Sequence, residues 1–372
     1  MSEARSGRRA IGGVRGPGLR LSKETTSVQK AAAQRKPTIH DVARVAEVAV
    51  GTVSRYLNGR PIRVGSRERI EEAVQRLGFV KNVAAATIRK ESSRLVGFLV
   101  SSYDELQIDI LAALTVRMQS RGRLVIPLTH DGSPESMVDA LRFFAEHRIE
   151  ALVASGDFAA MQDSPLLRGL DTHIILFNND LPGLECDRVL FGDASGMERA
   201  VGHLIGLGHR RIGLIAGRPG HSSAQGRLDG YLRALKAGPG VDESLIVGHE
   251  WSRQTGYFAG MELLDLKEPP TAVVCASYLS ALGLLDIVHE RGISIPGDLS
   301  IISFGDCDTF RLIGPGIDAL SMPVQQIVGR IDHLYAKNGS RRDRAQTVVE
   351  VELVLRGSSA TPRLSQLVER RR

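Results

Sequence analysis

The chain is poor in the residues that cross-link or metallate small domains. Of 372 residues only three are cysteine, Cys186, Cys275 and Cys307. They lie far apart without a C-x-x-C pair, so neither a zinc knuckle nor a disulfide framework is implied. They read as small core residues of a reducing compartment. No apolar run reaches membrane-spanning length and the first residues lack the apolar stretch of a secretory signal, which predicts a cytoplasmic protein with no membrane partner. The histidines include no H-E-x-x-H. His203 and His209, flanking a glycine-rich helix end, read as local hydrogen-bonding residues rather than ligands, so no metal and no cofactor is expected. A G-x-S-x-G elbow and a P-loop are also missing, and Gly213, Gly217 and Gly220 do not have the spacing of a dinucleotide fingerprint. Carboxylates are plentiful, yet none is fixed by sequence as an acid–base pair. A binding protein is expected rather than an enzyme.

What is present is an uneven charge. The formal net charge of +6 is built from nine Lys or Arg against two acids in residues 1–36, ten against six in 37–92, and twenty-nine against thirty-four in 93–372. A basic head on a slightly acidic body is the distribution expected of a protein that meets a polyanion at one end. Residues 1–36 are rich in Gly, Arg and Ser without apolar periodicity and predict a disordered basic arm, either a solubilising tail or a source of salt-sensitive attraction to phosphate. The remaining length and an apolar content of 42% allow two or three compact units.

The head is organised around Thr38 to Asn58. Ile39, Val42, Ala43 and Ala46 recur at helical spacing, with Thr38 as the expected cap and Asp41 in the first turn. A second apolar set, Val48, Val53 and Leu57, follows after a tight turn, which predicts two short helices at a steep angle. Between its apolar positions the second helix presents Val50, Gly51, Thr52, Ser54 and Arg55. This is a small face able to approach a groove closely, with one forked donor for a guanine edge. An ordinary helical hairpin with a solvated arginine would show the same spacing. Ser66 is expected to cap a third helix, striped by Ile70, Ala73, Val74 and Leu77 and stopped by Gly78.

The runs Thr38-Ile39-x-Asp41-Val42-Ala43 and Gly51-Thr52-Val53-Ser54-Arg55-Tyr56-Leu57-Asn58, followed by Ser66-Arg67-Glu68-Arg69-Ile70 and Leu77-Gly78-Phe79, resemble the helix-turn-helix of the lactose-repressor (LacI/GalR) family of bacterial transcription regulators. The resemblance implies that residues 37–81 form the DNA-binding head, with Thr38, Val50, Gly51, Thr52, Ser54, Arg55 and Asn58 on the DNA. It also implies a hinge helix and linker at 82–93 that folds when two copies meet in the minor groove, with Asn82 and Ala85 on the DNA and Ile88 as the wedge. The chain departs from the pattern at Glu47, where glycine is usual, at Ala49, where a capping serine or threonine is usual, and at Lys81, where proline is usual.

From Arg94 onward short β-rich runs alternate with helical stretches, at Leu95–Ser101, Arg123–Thr129, Glu150–Ala154, Thr172–Phe177, Arg211–Ala216, Thr271–Ala276 and Leu299–Phe304. Such alternation predicts an α/β fold with parallel sheets covered by helices on both faces. By the resemblance, residues 94–358 form a two-lobed, periplasmic-binding-protein-like core for effector binding and dimerisation, the first lobe holding roughly 94–208 and 320–342 and the second 209–319 and 343–358. Residues 359–372 are left as a tail. Gly208-His209-Arg210-Arg211-Ile212 and Arg227-Leu228-Asp229-Gly230-Tyr231 match family motifs. By the resemblance Arg227 falls at the family's effector-contacting arginine and Asp193, Ser101 and Trp251 at other cleft positions, with Asp306 one step beyond the family's cleft aspartate, whose own position is Gly305. Ser277-Tyr278 stands where Asn-Asp is usual. A sugar or sugar acid is the expected effector, and the expected partner is a pseudo-palindromic double-stranded operator read by a homodimer or higher assembly. Val50 and Gly51 keep open a second reading, a cytoplasmic sugar-binding protein whose head no longer reads specific DNA.

Overall fold

The computed structural model describes residues 37–57, 60–79, 93–155, 165–170, 172–337 and 344–363. The expected arm, Asn58, Lys81 and the hinge residues Asn82, Ala85 and Ile88 lie outside the described residues. The chain divides into two units, residues 1–86 and 87–372.

In the first unit α1 (Ile39–Val45), α2 (Val50–Leu57) and α3 (Val64–Leu77) enclose a small core of Val42, Ala43, Ala46, Val53, Ile70 and Ala73. The apolar stripes meet as their spacing predicts. Thr38 caps α1 in a reversed sense: its hydroxyl and its backbone N–H both donate to the Asp41 carboxylate, at 2.6 and 2.9 Å. Those two bonds hold the Asp41 carboxyl down at about 2. Ser66 is not the cap of α3. The helix starts at Val64 with Arg63 in the extended cap position, so Ser66 sits inside the first turn. Gly78 ends the helix at φ +59. In the turn between α1 and α2, Glu47 has φ +53, a conformation that disfavours side chains by about 1–2 kcal/mol. At the start of α2 the Ala49 carbonyl accepts from Thr52 and Val53, but its methyl leaves a further amide without a side-chain acceptor, about 1 kcal/mol short of a serine cap.

The second unit holds two six-stranded sheets. The first is built from β1 (Leu95–Val100), β2 (Leu124–Thr129), β3 (Ala151–Ala154), β4 (His173–Asn178), β5 (Asp187–Phe191) and β11 (Gln346–Val349), with α4 (Glu105–Ser120), α5 (Pro134–Glu146), α6 (Pro165–Gly169) and α11 (Val324–Lys337). The second sheet has β6 (Ile212–Ile215), β7 (Ile246–Val247), β8 (Ala272–Cys275), β9 (Ser300–Phe304), β10 (Asp318–Ser321) and β12 (Glu352–Val354). Its helices are α7 (Asp193–Gly206), α8 (Ser222–Lys236), α9 (Arg253–Leu264) and α10 (Tyr278–Glu290). Strand order is β11-β5-β4-β3-β1-β2 in one and β12-β10-β9-β8-β6-β7 in the other, parallel throughout except for β12 against β10. The expected α/β architecture is therefore present, and the three cysteines are buried.

The lobe boundaries differ from the sequence reading. α7 packs on α8, β8, β10 and β12, so the first crossing falls at Gly192 rather than after residue 208. β11 pairs with β5, which puts 346–349 in the first lobe. Helical periodicity shows that α7 has an apolar face but not which sheet it covers, and Gln346 and Thr347 give β11 too little apolar pattern to assign. The second lobe also continues past residue 358. Asp318 accepts from the Gly357 backbone N–H at 2.8 Å and from the Ser359 hydroxyl. His209 donates from Nε2 to the Ala360 carbonyl at 2.9 Å while its Nδ1 meets Thr271 Oγ1 at 2.8 Å. His203 meets the Ser359 hydroxyl at 3.1 Å, so both histidines are the local hydrogen-bonding residues expected.

Two helix pairs approach at backbone distance through glycine. A Cβ on Gly230 would stand 2.2 Å from the Ala194 carbonyl oxygen, joining α8 to α7, and one on Gly283 would stand 1.9 Å from the Arg253 carbonyl oxygen, joining α10 to α9. Side chains cannot occupy such gaps without parting the helices. Gly283→Ala is expected to destabilise the core by about 3 kcal/mol or more. Gly202→Ala, where nothing lies within 4 Å, should be neutral or stabilising by up to about 1 kcal/mol. Urea midpoints of the two variants check this, and equal midpoints would remove the close approach from the account.

Candidate functional site

The outward face of α2 carries the head's candidate residues. Gly51 is exposed and its missing Cβ would meet nothing, so no packing within the head requires glycine in this helix, where it costs about 1 kcal/mol relative to alanine. Arg55 is exposed, and no carboxylate pairs with it among the described residues. Arg67, by contrast, meets Glu71 at 2.9 Å, and Arg44 pairs with Asp41. Thr52 and Ser54 are half-exposed. Val50 packs partly against the head core, and the Thr38 hydroxyl is spent on Asp41, so these two offer less to a partner than the resemblance implies.

In the core, the candidate cleft residues cluster where the parallel strands end at their C-termini, the place such sheets bind ligands. Asp193 opens α7 immediately after β5. Arg227, on α8, donates from Nε to Asp193 Oδ1 at 2.8 Å and from Nη1 to the Ala276 carbonyl at 2.6 Å, just past β8. The guanidinium lies 3.8 Å from the centre of the Phe304 ring and 5.5 Å from that of Trp251, close enough for cation–π attraction. Both charged side chains are more than nine-tenths buried. The resemblance puts Arg227 and Asp193 together in the cleft; here they touch directly, because Gly226 lets the Asp193 side chain within 3.0 Å of where its own Cβ would be. The rest of the motif anchors the helix: the buried Tyr231 hydroxyl donates to the Ile212 carbonyl at 2.7 Å.

Trp251 joins this cluster. Its indole occupies the space beside Gly217, where a Cβ would stand 2.0 Å from Nε1, and it meets the His221 ring edge-on at 4.9 Å. Its Nε1 has no acceptor among the described residues. His221, Ser223, Asn178 and Asn179 escaped the sequence reading. Asn179, just beyond β4 in the first lobe, takes the Ser223 hydroxyl on Oδ1 at 2.9 Å and gives Nδ2 to His221 Nδ1 at 2.6 Å, both in the second lobe. The Ser222 hydroxyl accepts from the Asp180 backbone N–H at 2.7 Å. Asn178 has φ +69, and its buried Oδ1 has no donor. The one available signal was the Asn-Asn-Asp run after an apolar strand, a common turn composition. Two expected residues stand apart. Ser101 is exposed at the end of β1 and makes no bond to the cluster. Asp306 is taken by Arg356 Nη2 at 2.6 Å and by the Cys307 backbone N–H at 3.0 Å, so it ties the end of β9 to the segment after β12.

The family model for bacterial regulatory proteins of the lacI family matches residues 38–82, and the model for the periplasmic binding protein-like domain matches residues 201–359. The chain belongs to the lacI family of bacterial transcription regulators. It is 29% identical over 331 residues to the HTH-type transcriptional repressor CytR of Escherichia coli strain K12, covering 87% of this chain and 96% of that one. The fold superposes on a lac repressor dimer bound to operator and an anti-inducer, with a TM-score of 0.78, 22% identity and coverage of 88% of this chain and 100% of that one. It also superposes on the complex of the regulator CelR with cellobiose, with a TM-score of 0.67, 24% identity and coverage of 87% and 100%. As a lacI-family regulator the chain is not an enzyme. Among the described residues no helix is long and apolar enough to cross a membrane.

In this member of the family the arginine–aspartate pair has its own electrostatics. Burial pushes the Asp193 carboxyl up to about 6, and Arg227 opposes that rise without cancelling it. The folded value lies above the ordinary 3.8, so between the two the folded chain holds a proton that the unfolded chain has lost. The group supports folding fully below about pH 4, and that support is lost as pH rises through 6. Asp193→Asn is expected to flatten this fall, read as urea midpoints between about pH 4 and 7. Parallel profiles for parent and variant would mean that Asp193 is ionised throughout.

Proposed function

We propose that the chain is a homodimeric repressor whose operator affinity is set by a small carbohydrate-like effector in the inter-lobe cleft. The observation that carries the reading is the α2 face. An exposed arginine without a carboxylate partner stands one helical turn from an open glycine, in a unit separate from the core, which is what close approach to a groove and forked donation to a base edge require. Two copies bound to a pseudo-palindrome follow from the need for twofold symmetry in the site. The exposed apolar residues on the core support pairing: Leu312 is 84% exposed, beside a cavity of about 500 Å³ lined by Leu282, Leu285, Ile293 and Ile313. Ile108 and Val116 add an apolar face on α4.

The cleft reading rests on the Arg227 cluster. Trp251 supplies an unused donor and Asn178 an unused acceptor, the complement of a hydroxyl-bearing ring. Because Asp193 already neutralises Arg227, an acid would have to displace a buried carboxylate, so of the two expected effectors a neutral sugar suits the site better than a sugar acid. An effector there touches residues of both lobes, and any difference in its contacts between open and closed forms biases the lobe equilibrium and, through the hinge, the heads.

Arg55→Ala is expected to cost about 1–3 kcal/mol on the matched operator and to relax preference at one base pair per half-site. Titrations on matched and mismatched operators check it, and unchanged discrimination would make Arg55 a phosphate contact. For the cleft, Arg227→Ala alone would leave Asp193 buried and unpaired, so the pair is best neutralised together. The Asp193→Asn, Arg227→Gln variant should melt near the parent and bind operator, yet lose about 2–5 kcal/mol in effector affinity. A variant that still responds normally to effector would sink the proposed site.

A further inference from the structure

The first lobe is polarised along its strands. Its sheet is parallel throughout, so the strands start at one end and finish at the other, where the cleft lies. The connections leaving β1, β2, β3, β4 and β11 each carry Asp or Glu and no Lys or Arg before the next element. Those entering β1, β2, β3 and β11 each carry arginine, among them Arg94, Arg121, Arg123, Arg148 and Arg344. A core in which acids outnumber bases thus gathers arginine at the end where the chain arrives from the head.

Hydrogen bonds tie these arginines into one patch. Asp332 on α11 accepts from Arg121 Nε at 2.7 Å and Nη2 at 3.1 Å, and lies 3.6 Å from Arg117 Nη1. One turn along α11 the Tyr335 hydroxyl donates to Glu150 Oε2 at 2.7 Å, and Arg123 Nε donates to the same oxygen at 3.1 Å and to the phenol at 3.0 Å. Glu150 Oε1 accepts the Arg94 backbone N–H at 3.1 Å, and the Ser93 hydroxyl donates to the Arg148 carbonyl at 2.5 Å. Two carboxylates therefore order Arg117, Arg121 and Arg123. The side chains of Arg94 and Arg148 are exposed and meet no carboxylate among the described residues. Both have left-handed backbones, φ +58 and +47, a conformation that glycine adopts freely and long side chains do not. Packing gives no reason for arginine at either position.

We propose that this arginine patch is a second phosphate-binding surface for double-stranded DNA, taking the backbone of the duplex that the head engages and reading no base edge. Guanidinium groups suit phosphate because their forked donors match its oxygens. Chain connectivity keeps the patch within reach: residues 80–92 join the head to β1, and thirteen residues span at most about 45 Å. DNA held by the head therefore raises the concentration of phosphate at the patch. The acidic cleft end is repelled by the same duplex, so the polarity turns the cleft toward solvent. The proposal rests on the head as a DNA-binding unit and is independent of any effector.

The test uses the full chain and a mixed-sequence duplex several helical turns long, titrated by fluorescence anisotropy over a series of salt concentrations. The Arg94→Ala, Arg148→Ala variant is expected to bind about tenfold more weakly at low salt, with the slope of log affinity against log salt reduced by about 2 per protomer. A charge-matched variant on the second lobe, Arg233→Ala, Lys236→Ala, should follow the parent, since exposed charges beyond about 10 Å are screened. The Arg94→Lys, Arg148→Lys variant should also bind as the parent does, because attraction to phosphate needs the charge. A parent-like slope in the first variant refutes the surface, and so does an equal loss in the charge-matched variant, which would reduce the effect to net charge. If the double alanine variant does not melt cooperatively, Arg94→Gln and Arg148→Gln are measured singly, each expected to lower the slope by about 1, and unchanged slopes refute the surface. Failure here is distinct from failure of the head: Arg55→Ala is read as discrimination between operators, whereas these variants are read on DNA of no chosen sequence.

Discussion

The site in the core exists because two helices can touch backbone to backbone. Gly226 and Gly230 on α8 leave no side chain to hold α7 away, and only at that separation does the first residue of α7 meet Arg227. With the carboxylate in place, a guanidinium can be buried over Phe304 without an uncompensated charge, a state that would otherwise cost several kcal/mol. The indole of Trp251 then rests on Gly217, and the cluster is complete. Larger residues at 217, 226 or 230 would disassemble the site without altering any atom expected to touch a ligand.

Much of this was legible in the sequence, and the limits of legibility have physical causes. The head could be read because its helices bury one face each in a core of few residues, so periodicity and contact coincide. The strands of the core could be read because parallel sheets covered on both faces demand continuous apolar runs, as in Ala151–Ala154 and Ala272–Cys275. Pairing could not, since β11 and β12 are short and half-polar and take their places from neighbours rather than from their own pattern. In the cleft, motif matching led to Arg227, Asp193 and Trp251, whereas spacing says nothing about whether two opposite charges meet through a ligand or directly. Asp306 illustrates the hazard: a carboxylate one residue from a motif position turned aside to Arg356. Asn179, His221 and Ser223 leave no pattern beyond the turn composition of Asn178-Asn179-Asp180, being assembled from two lobes.

The two units are held by different means. The head is small, bears an unfavourable Glu47 backbone and an uncapped α2, and has a core of few side chains, so it has little stability in reserve, and a partner that binds its folded form adds to it. The core distributes its stability over two sheets and two glycine-joined helix pairs, with carboxylates such as Asp318 sealing its ends. Lobes linked by several hydrogen bonds at one edge can move as rigid bodies while their interiors stay fixed, the usual manner of hinge closure.

The passage of the chain back and forth between lobes also governs how the molecule can be made. β5 of the first sheet is bordered by β11, and the Asp187 carboxylate is met by the Ala345 backbone N–H from 158 residues away. A ribosome must therefore deliver the whole second lobe up to β10 before the first can receive α11 and its last strand. Until then β5 is an open edge, ready to pair with another nascent chain. The first lobe, although begun first, is closed late, and the interval is set by the speed of translation rather than by any contact within the lobe.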